Sequence, residues 1–348
     1  MRILAWADSE DDVAVGCSDS QNPRKERTTM SSTIRVGIVG CGGIARAHVD
    51  GYKAEKVQFV GVTDVNREAA GKLAGELKHV PVYDDYHELI DKAKPDVVSI
   101  CTPPVAHEAV ARYALEHGVH VLCEKPMAFD AAAARRMEVA AHKAAAQLMP
   151  AFRHRFIPGN LLLRKIVASG KIGDVVLFNN IFCGPAFGME HTWFTKKKIA
   201  GGGCLLDTNS HSVDLFRFIV GEVSDQKAVM HRHFKTTDVE DAGILIVKAN
   251  NGAIGTMQSS FVAGAGMAFI DIIGTKGRVL FEYGNQVLYR LTQDKDWTVK
   301  PVKASGGWME QIHHFLGTVK GKHPLSCTVH DGVRNMEIIT AVYGKKAR

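Results

Sequence analysis

The sequence predicts an α/β protein in two parts: a doubly wound parallel sheet, followed by an α+β domain built on a large, mostly antiparallel open sheet. Three observations carry this reading. A strand-length apolar run, Ile34 to Val39, passes directly into a glycine-rich turn and a helix. Apolar strands and helices then alternate as far as Pro150, and beyond it the strands lengthen and alternate polar with apolar residues. The 348 residues suit two domains, at roughly 150 residues each. A hydrophobic content of 46% against 23% charged excludes a disordered chain. No run of eighteen apolar residues is present, so no membrane partner is expected. The net charge of +6 is spread without a Lys/Arg block, so nucleic acid is not expected either. Seven cysteines without a CxxC pair read as reduced thiols of a cytoplasmic protein.

Residues 1–33 differ in texture from the rest. Asp8 to Asp12 is acidic, Ser18 to Ser32 is polar, and no basic start leads into an apolar block. They are expected to be a disordered N-terminal extension without a secretory signal, with Met30 a candidate natural start.

The first domain is taken as residues 34–150. Its opening strand runs into Gly40-Cys41-Gly42-Gly43-Ile44-Ala45, a helix reaches Tyr52, and a second strand, Val57 to Thr63, ends in Asp64. Strand, tight turn, helix, strand and terminal acid make up the dinucleotide-binding fingerprint of a Rossmann domain. The glycines let backbone approach a pyrophosphate whose charge lies at the helix N-terminus. Asp64 suits the adenosine ribose hydroxyls. A 2′-phosphate beside it would meet repulsion of about 4 kcal/mol per charge pair at 4 Å and an effective dielectric of 20. NAD is therefore the expected cofactor, with NADP the alternative that Arg67, one helical turn on, leaves open.

The alternation continues with a strand at 96–102 stopped by Pro103-Pro104, a helix at 105–116 ended by Gly118, a strand at 119–123 running into Glu124-Lys125-Pro126, and a helix at 131–146. Ligands of such sheets bind at the carboxyl ends of the strands. The expected cofactor-binding set is Gly40, Gly42, Gly43, Ile44, Ala45, Asp64, Arg67, Thr102, Pro103, His107, Glu124 and Lys125.

The second domain is taken as residues 151–348, its C-terminal helix expected to pack on the body. Alternating runs lie at 175–182, 227–233, 242–247, 253–261, 268–273, 278–282 and 286–291, with a hairpin turn at Asn250-Asn251-Gly252, and five or six strands are expected. Helices are expected at 307–319 and 330–343. The most informative stretch is Gly201-Gly202-Gly203 and the helix that follows it to Val220. At 100° per residue, His211 lies about 40° and Asp214 about 20° from Asp207, opposite the apolar face of Leu205, Leu206, Val213 and Phe216. That face is either a solvated surface with a self-paired Asp and His, or a reactive one.

Oxidising a secondary alcohol with NAD needs a base for the hydroxyl proton and a donor for the oxygen. His211 suits the base, with an ordinary pKa near 6.5. Lys125, at a strand end, suits the donor, and Asp207 can hold that lysine or orient the substrate. These residues resemble the glucose–fructose oxidoreductase / inositol dehydrogenase family over most of 34–345. The motifs are Gly40-x-Gly42-x-x-Ala45, Glu124-Lys125-Pro126, the triglycine leading to Asp207-x-x-x-His211-x-x-Asp214, and Phe152-Arg153-His154-Arg155-Phe156-x-Pro158. The resemblance implies that Lys125, Asp207 and His211 are the catalytic set. It also implies that Glu124 lies by the nicotinamide ribose, that Arg155 and Asp214 reach substrate hydroxyls, and that the chain forms a homo-oligomer, dimer or tetramer. Some members that retain NADP carry tyrosine where this chain has His211.

The partner is then a sugar or cyclic polyol. His154, Arg155, His191 and Trp193 are candidates for lining its pocket, since aromatic and basic groups suit a polyhydroxylated ring. Two other readings compete: a glycosidase that uses NAD transiently for oxidation and elimination, and a regulator that binds NAD without turnover. No metal is assigned. His231 with His233, and His313 with His314, are the visible histidine clusters, read as surface or interface groups without a nearby cysteine ligand.

Overall fold

The computed structural model describes residues 33–186 and 188–344; of the expected extension, all but Thr33 lies outside the described residues. The first half runs β1 (Arg35–Val39), α1 (Gly43–Ala54), β2 (Gln58–Thr63), α2 (Arg67–Glu76), α3 (Tyr86–Ala93), β3 (Val97–Ile100), α4 (Pro104–Glu116), β4 (His120–Cys123), α5 (Ala131–Lys143) and β5 (Leu148–Pro150). The strands form one sheet in the order β2-β1-β3-β4-β5, with every pair parallel. Every residue of β3 and β4 is buried, as expected for strands covered on both faces. Side chains start the helices: Asn66 accepts the N–H groups of Glu68 and Ala69 at α2, and Asp130 accepts that of Ala133 at α5. Helices α2 and α3 were not anticipated. Each buries three residues.

After a 3₁₀ turn at Arg153–Phe156, the second half runs α6 (Pro158–Ala168), β6 (Val175–Pro185), α7 (Lys197–Ala200), α8 (Cys204–Asp207), α9 (Asn209–Ile219), β7 (Val223–His231), β8 (Ala242–Ala249), β9 (Ile254–Ser260), β10 (Val262–Gly274), β11 (Gly277–Phe281), β12 (Gln286–Leu291), β13 (Thr298–Pro301), α10 (Trp308–Val319) and α11 (Val329–Thr340). Where five or six strands were expected, the described residues form eight, in the order β13-β12-β11-β10-β6-β9-β8-β7. All the alternating runs join the sheet, and β13 adds an edge strand too short and polar to stand out in sequence. Only the β6–β9 pair is parallel.

One face of this sheet packs on α6, α8 and α9, with Phe178 of β6 meeting Phe216 of α9 edge-on at 5.3 Å between centroids. On the other face Val229 pairs with Ile244 and Leu177 with Ile254 across strands, and all four are exposed. Both C-terminal helices return to the first half. A Cβ on Gly51 of α1 would lie 2.5 Å from Ile312 of α10, and Gly332 of α11 lies against Met127 and Pro150. No helix of the described residues is long and apolar enough to cross a membrane.

Candidate active site

The nucleotide end is built by the turn after β1. Gly40 sits at φ +91°, where a Cβ would fall 2.6–2.8 Å from the backbone of Cys101 and Thr102. Only glycine lets the ends of β1 and β3 close up this far. Gly42 and Gly43 face open space, and α1 begins there with neither a side-chain cap nor an acid in its first turn. Ile44 is half-buried, and Ala45 is buried and seats the helix on the core. At the end of β2, Asp64 accepts the Cys41 N–H on Oδ2 at 2.6 Å and the Asn66 N–H on Oδ1 at 2.7 Å. Arg67 is exposed and paired with Asp84. Pro103 precedes the first residue of α4, and the Thr102 hydroxyl beside it is buried without a partner. A glycine cradle, an uncapped helix N-terminus and an unpartnered hydroxyl fit a dinucleotide.

His107 was expected to touch the cofactor and does not face that opening. It is fully buried, Nε2 lying 2.7 Å from the Thr102 carbonyl and Nδ1 3.1 Å from that of Pro126. It ties the ends of β3 and β4 together, and burial lowers its pKa.

The groups expected to be catalytic meet across the two sheets. Lys125, on the cis-Pro126 turn after β4, reaches Asp207 Oδ1 at 2.7 Å and the Asp207 carbonyl at 3.3 Å. That carbonyl also accepts the Ser210 hydroxyl at 2.7 Å, while the His211 N–H bonds Thr208 instead, at 3.1 Å. This competition splits the expected single helix into α8 and α9. The triglycine is sterically required, because a Cβ on Gly203 would collide with the Glu240 carbonyl. The Glu240 carboxylate accepts the N–H groups of Gly203 and Leu205, each at 3.0 Å, and so fixes the start of α8.

His211 is buried, its ring stacked on His154 at 4.0 Å and 18°. Nδ1 of His211 and Nε2 of His154 have no hydrogen-bond partner. Burial first, then the fields of His154, Lys125 and Arg153, hold His211 well below its ordinary pKa. Burial, Arg153 and Lys125 do the same to His154. Both imidazoles are therefore neutral near pH 7.

Of the expected carboxylate-imidazole-carboxylate face, Asp207 of α8 is half-buried, while His211 and Asp214 of α9 are buried. Asp214 is fully buried and gripped by Arg155 through Nε and Nη2 at 2.6–3.0 Å. Arg155, also buried, further donates to the Ser326 carbonyl at 2.6 Å. Arg155 and Asp214, expected to reach substrate hydroxyls, instead bind each other and clamp the 3₁₀ turn to α9. Trp193 stacks on Phe194 at 3.8 Å in the segment before α7, and His191 lies exposed just ahead of it.

Sequence reasoning missed several groups of the cluster. Tyr283, on the β11–β12 turn, lies 3.2 Å from His154 Nδ1. Arg153 covers the Trp308 ring at 3.8 Å. Glu124 is buried and held by His48 of α1, Nε2 to Oε1, at 2.8 Å. Burial opposes the charge on each, yet Glu124 is held below the usual carboxylate range by His48 and Lys125, and Cys101 and Glu124 carry His48 up to about 10. Glu124 itself was expected from its motif; of the groups around it that were not, Tyr283, Arg153, Trp308 and His48, only Arg153 lay inside a recognisable motif. His231 and His233 meet edge to face at 4.6 Å and are exposed, and no three metal-ligating side chains gather among the described residues.

Two protein-family models match the chain. One, described as an oxidoreductase family with an NAD-binding Rossmann fold, covers residues 34–152; the other, the GFO/IDH/MocA C-terminal domain, covers 161–280. D-glucoside 3-dehydrogenase of Escherichia coli (strain K12) is 28% identical over 344 residues, spanning 90% of this chain and 95% of that protein. Myo-inositol 2-dehydrogenase of Thermotoga maritima is 24% identical, spanning 90% of this chain and 96% of that protein. Among solved structures, levoglucosan dehydrogenase in complex with NADH and levoglucosan superposes with a TM-score of 0.81 at 25% identity, over 90% of this chain and 96% of that one.

Proposed function

Because the chain belongs to the GFO/IDH/MocA oxidoreductase family, with its NAD-binding Rossmann fold, we propose that it is a dehydrogenase of sugar or cyclic polyol secondary hydroxyls. The single observation that supports this most is the 2.7 Å contact of Lys125 with Asp207, which joins a strand end of the first sheet to the helix pair of the second. Bound NAD supplies the hydride acceptor, and the glycine turn, α1, Asp64 and Thr102 hold it. His211, neutral through burial, takes the hydroxyl proton. Lys125 donates to the same oxygen and stabilises its growing negative charge, and Asp207 aims the ammonium group. His154 backs the His211 ring, and Trp193 offers an aromatic surface to the substrate. A cytoplasmic location is our reading of the free thiols at Cys41, Cys101, Cys123, Cys183, Cys204 and Cys327. We also propose that the exposed apolar face of the eight-stranded sheet joins copies of the chain.

An NAD-reduction screen over cyclic polyols, aldoses and glycosides, run in parallel with NADP, tests the activity. NADH should accumulate with at least one free polyol or sugar. His211→Ala and Lys125→Ala should each lower kcat by about 10²–10⁴ while NADH binding, followed by fluorescence, stays unchanged. Glycoside cleavage without net NADH would favour transient oxidation and elimination. Full activity in either variant removes that residue from the mechanism.

A further inference from the structure

Beneath the strand ends lies a chain of buried polar groups that the chemistry above leaves unused. His48, Tyr52 and Ser99 are fully buried, and Glu124 is exposed by only 6%. Each ring nitrogen of His48 meets an oxygen: Nε2 lies 2.8 Å from Glu124 Oε1 and Nδ1 lies 3.0 Å from Ser99 Oγ. Tyr52, one turn on along α1, closes the set, its hydroxyl 2.9 Å from the same Oγ. The second carboxylate oxygen, Oε2, accepts the N–H of Lys125 at 3.1 Å. A carboxylate only accepts, so Nε2 of His48 carries a hydrogen and donates it. Gripped at both oxygens, the Glu124 side chain is held in one orientation, with only a small part of it exposed. A buried carboxylate without such a partner would be strongly disfavoured, so the imidazole is what lets an acid reside here.

We propose that His48 is a positioning residue for the nicotinamide-ribose end of the bound dinucleotide, acting through Glu124, whose carboxylate it orients toward the ribose hydroxyls. The proposal rests on the NAD reading above. It gives α1 two tasks: its first turn receives the phosphates, and a residue just over a turn further along holds the acid that meets the far ribose. One helix thus sets the distance between the two ends of the cofactor site.

Equilibrium binding of NADH and of ADP to the full chain, by calorimetry, tests this, because ADP ends at the pyrophosphate and carries no nicotinamide ribose. His48→Leu should weaken NADH about tenfold or more and leave ADP within about twofold. His48→Gln, which can still donate to Glu124, should recover most of the loss. Unchanged NADH affinity in His48→Leu overturns the proposal. So does a parallel loss of NADH and ADP, which would mean that α1 itself had been disturbed. Should His48→Leu not fold, Ser99→Ala removes the Nδ1 partner. An NADH-selective loss of about two- to fivefold then supports the proposal, and equal affinity overturns it. Failure of the unaltered chain to bind NADH defeats the NAD reading itself, a different result from normal binding that is indifferent to His48.

Discussion

His211 and His154 lie face to face with an unpartnered nitrogen on each ring, and both are uncharged near pH 7. In the unfolded chain both titrate near 6.5. Below that value the unfolded state binds more protons than the folded one, so stability falls as the solution is acidified. The slope approaches about 1.4 kcal/mol per pH unit for each histidine. His48 works in the opposite sense: held up to about 10, its contribution is intact below 6.5 and is lost only as pH climbs toward that value. Urea unfolding at pH 6.5, 6.0 and 5.5, where the two depressed histidines outweigh His48, should therefore show stability falling on acidification, and His154→Phe should make that slope visibly shallower. An identical slope in the variant would show that the ring is protonated in the fold. The local motifs around Gly40, Lys125 and His211 were legible because each is a short run. The stack was not, since His154 and His211 stand far apart along the chain and only the fold brings the rings together.

The 3₁₀ turn and α9 carry those rings, and Arg155 with Asp214 locks the two elements in register. Asp214 stands three residues beyond His211, and Arg155 directly follows His154. Arg155→Met would leave a buried carboxylate without its partner, a destabilisation of about 3–5 kcal/mol, and kcat should fall with it as the stack loosens. Asp214→Asn keeps acceptor and shape and should cost less, about 1–3 kcal/mol. Chemical denaturation alongside kcat checks the order; equal effects of the two variants would sink the clamp. The helical wheel identified the apolar side of this helix correctly, because Leu205, Leu206, Val213 and Phe216 are all buried. It could not show that His211 and Asp214 on the polar side are buried too, since polar groups enter a core only with partners, and the partners come from other elements. The break at Thr208 escaped the sequence in part for the same reason: Lys125, from the other sheet, joins Ser210 in taking the Asp207 carbonyl from the His211 N–H.

For the molecule as a whole, the two-sheet architecture was legible from the change in strand texture at Pro150, while the full strand number was hidden in a polar edge. The outer face of the larger sheet leaves Val229, Ile244, Ile246 and Ile254 exposed, at 74%, 40%, 43% and 44%. Contiguous exposed apolar surface of this kind marks association sites. Light scattering should find an oligomer, and Ile244→Lys with Ile246→Lys should shift it toward monomer; a monomeric unaltered chain would refute that use of the face.

The return of α10 and α11 carries its own consequence. Ile312, Phe315, Leu316 and Val319 share one buried cluster with Ile38, Val49 and Tyr52. The interior of the amino-terminal half is thus completed by residues that follow the whole of the larger sheet along the chain. A fragment ending at Pro150 would be an unfinished body with greasy flanks, and the halves cannot mature one after the other as self-sufficient beads on a string.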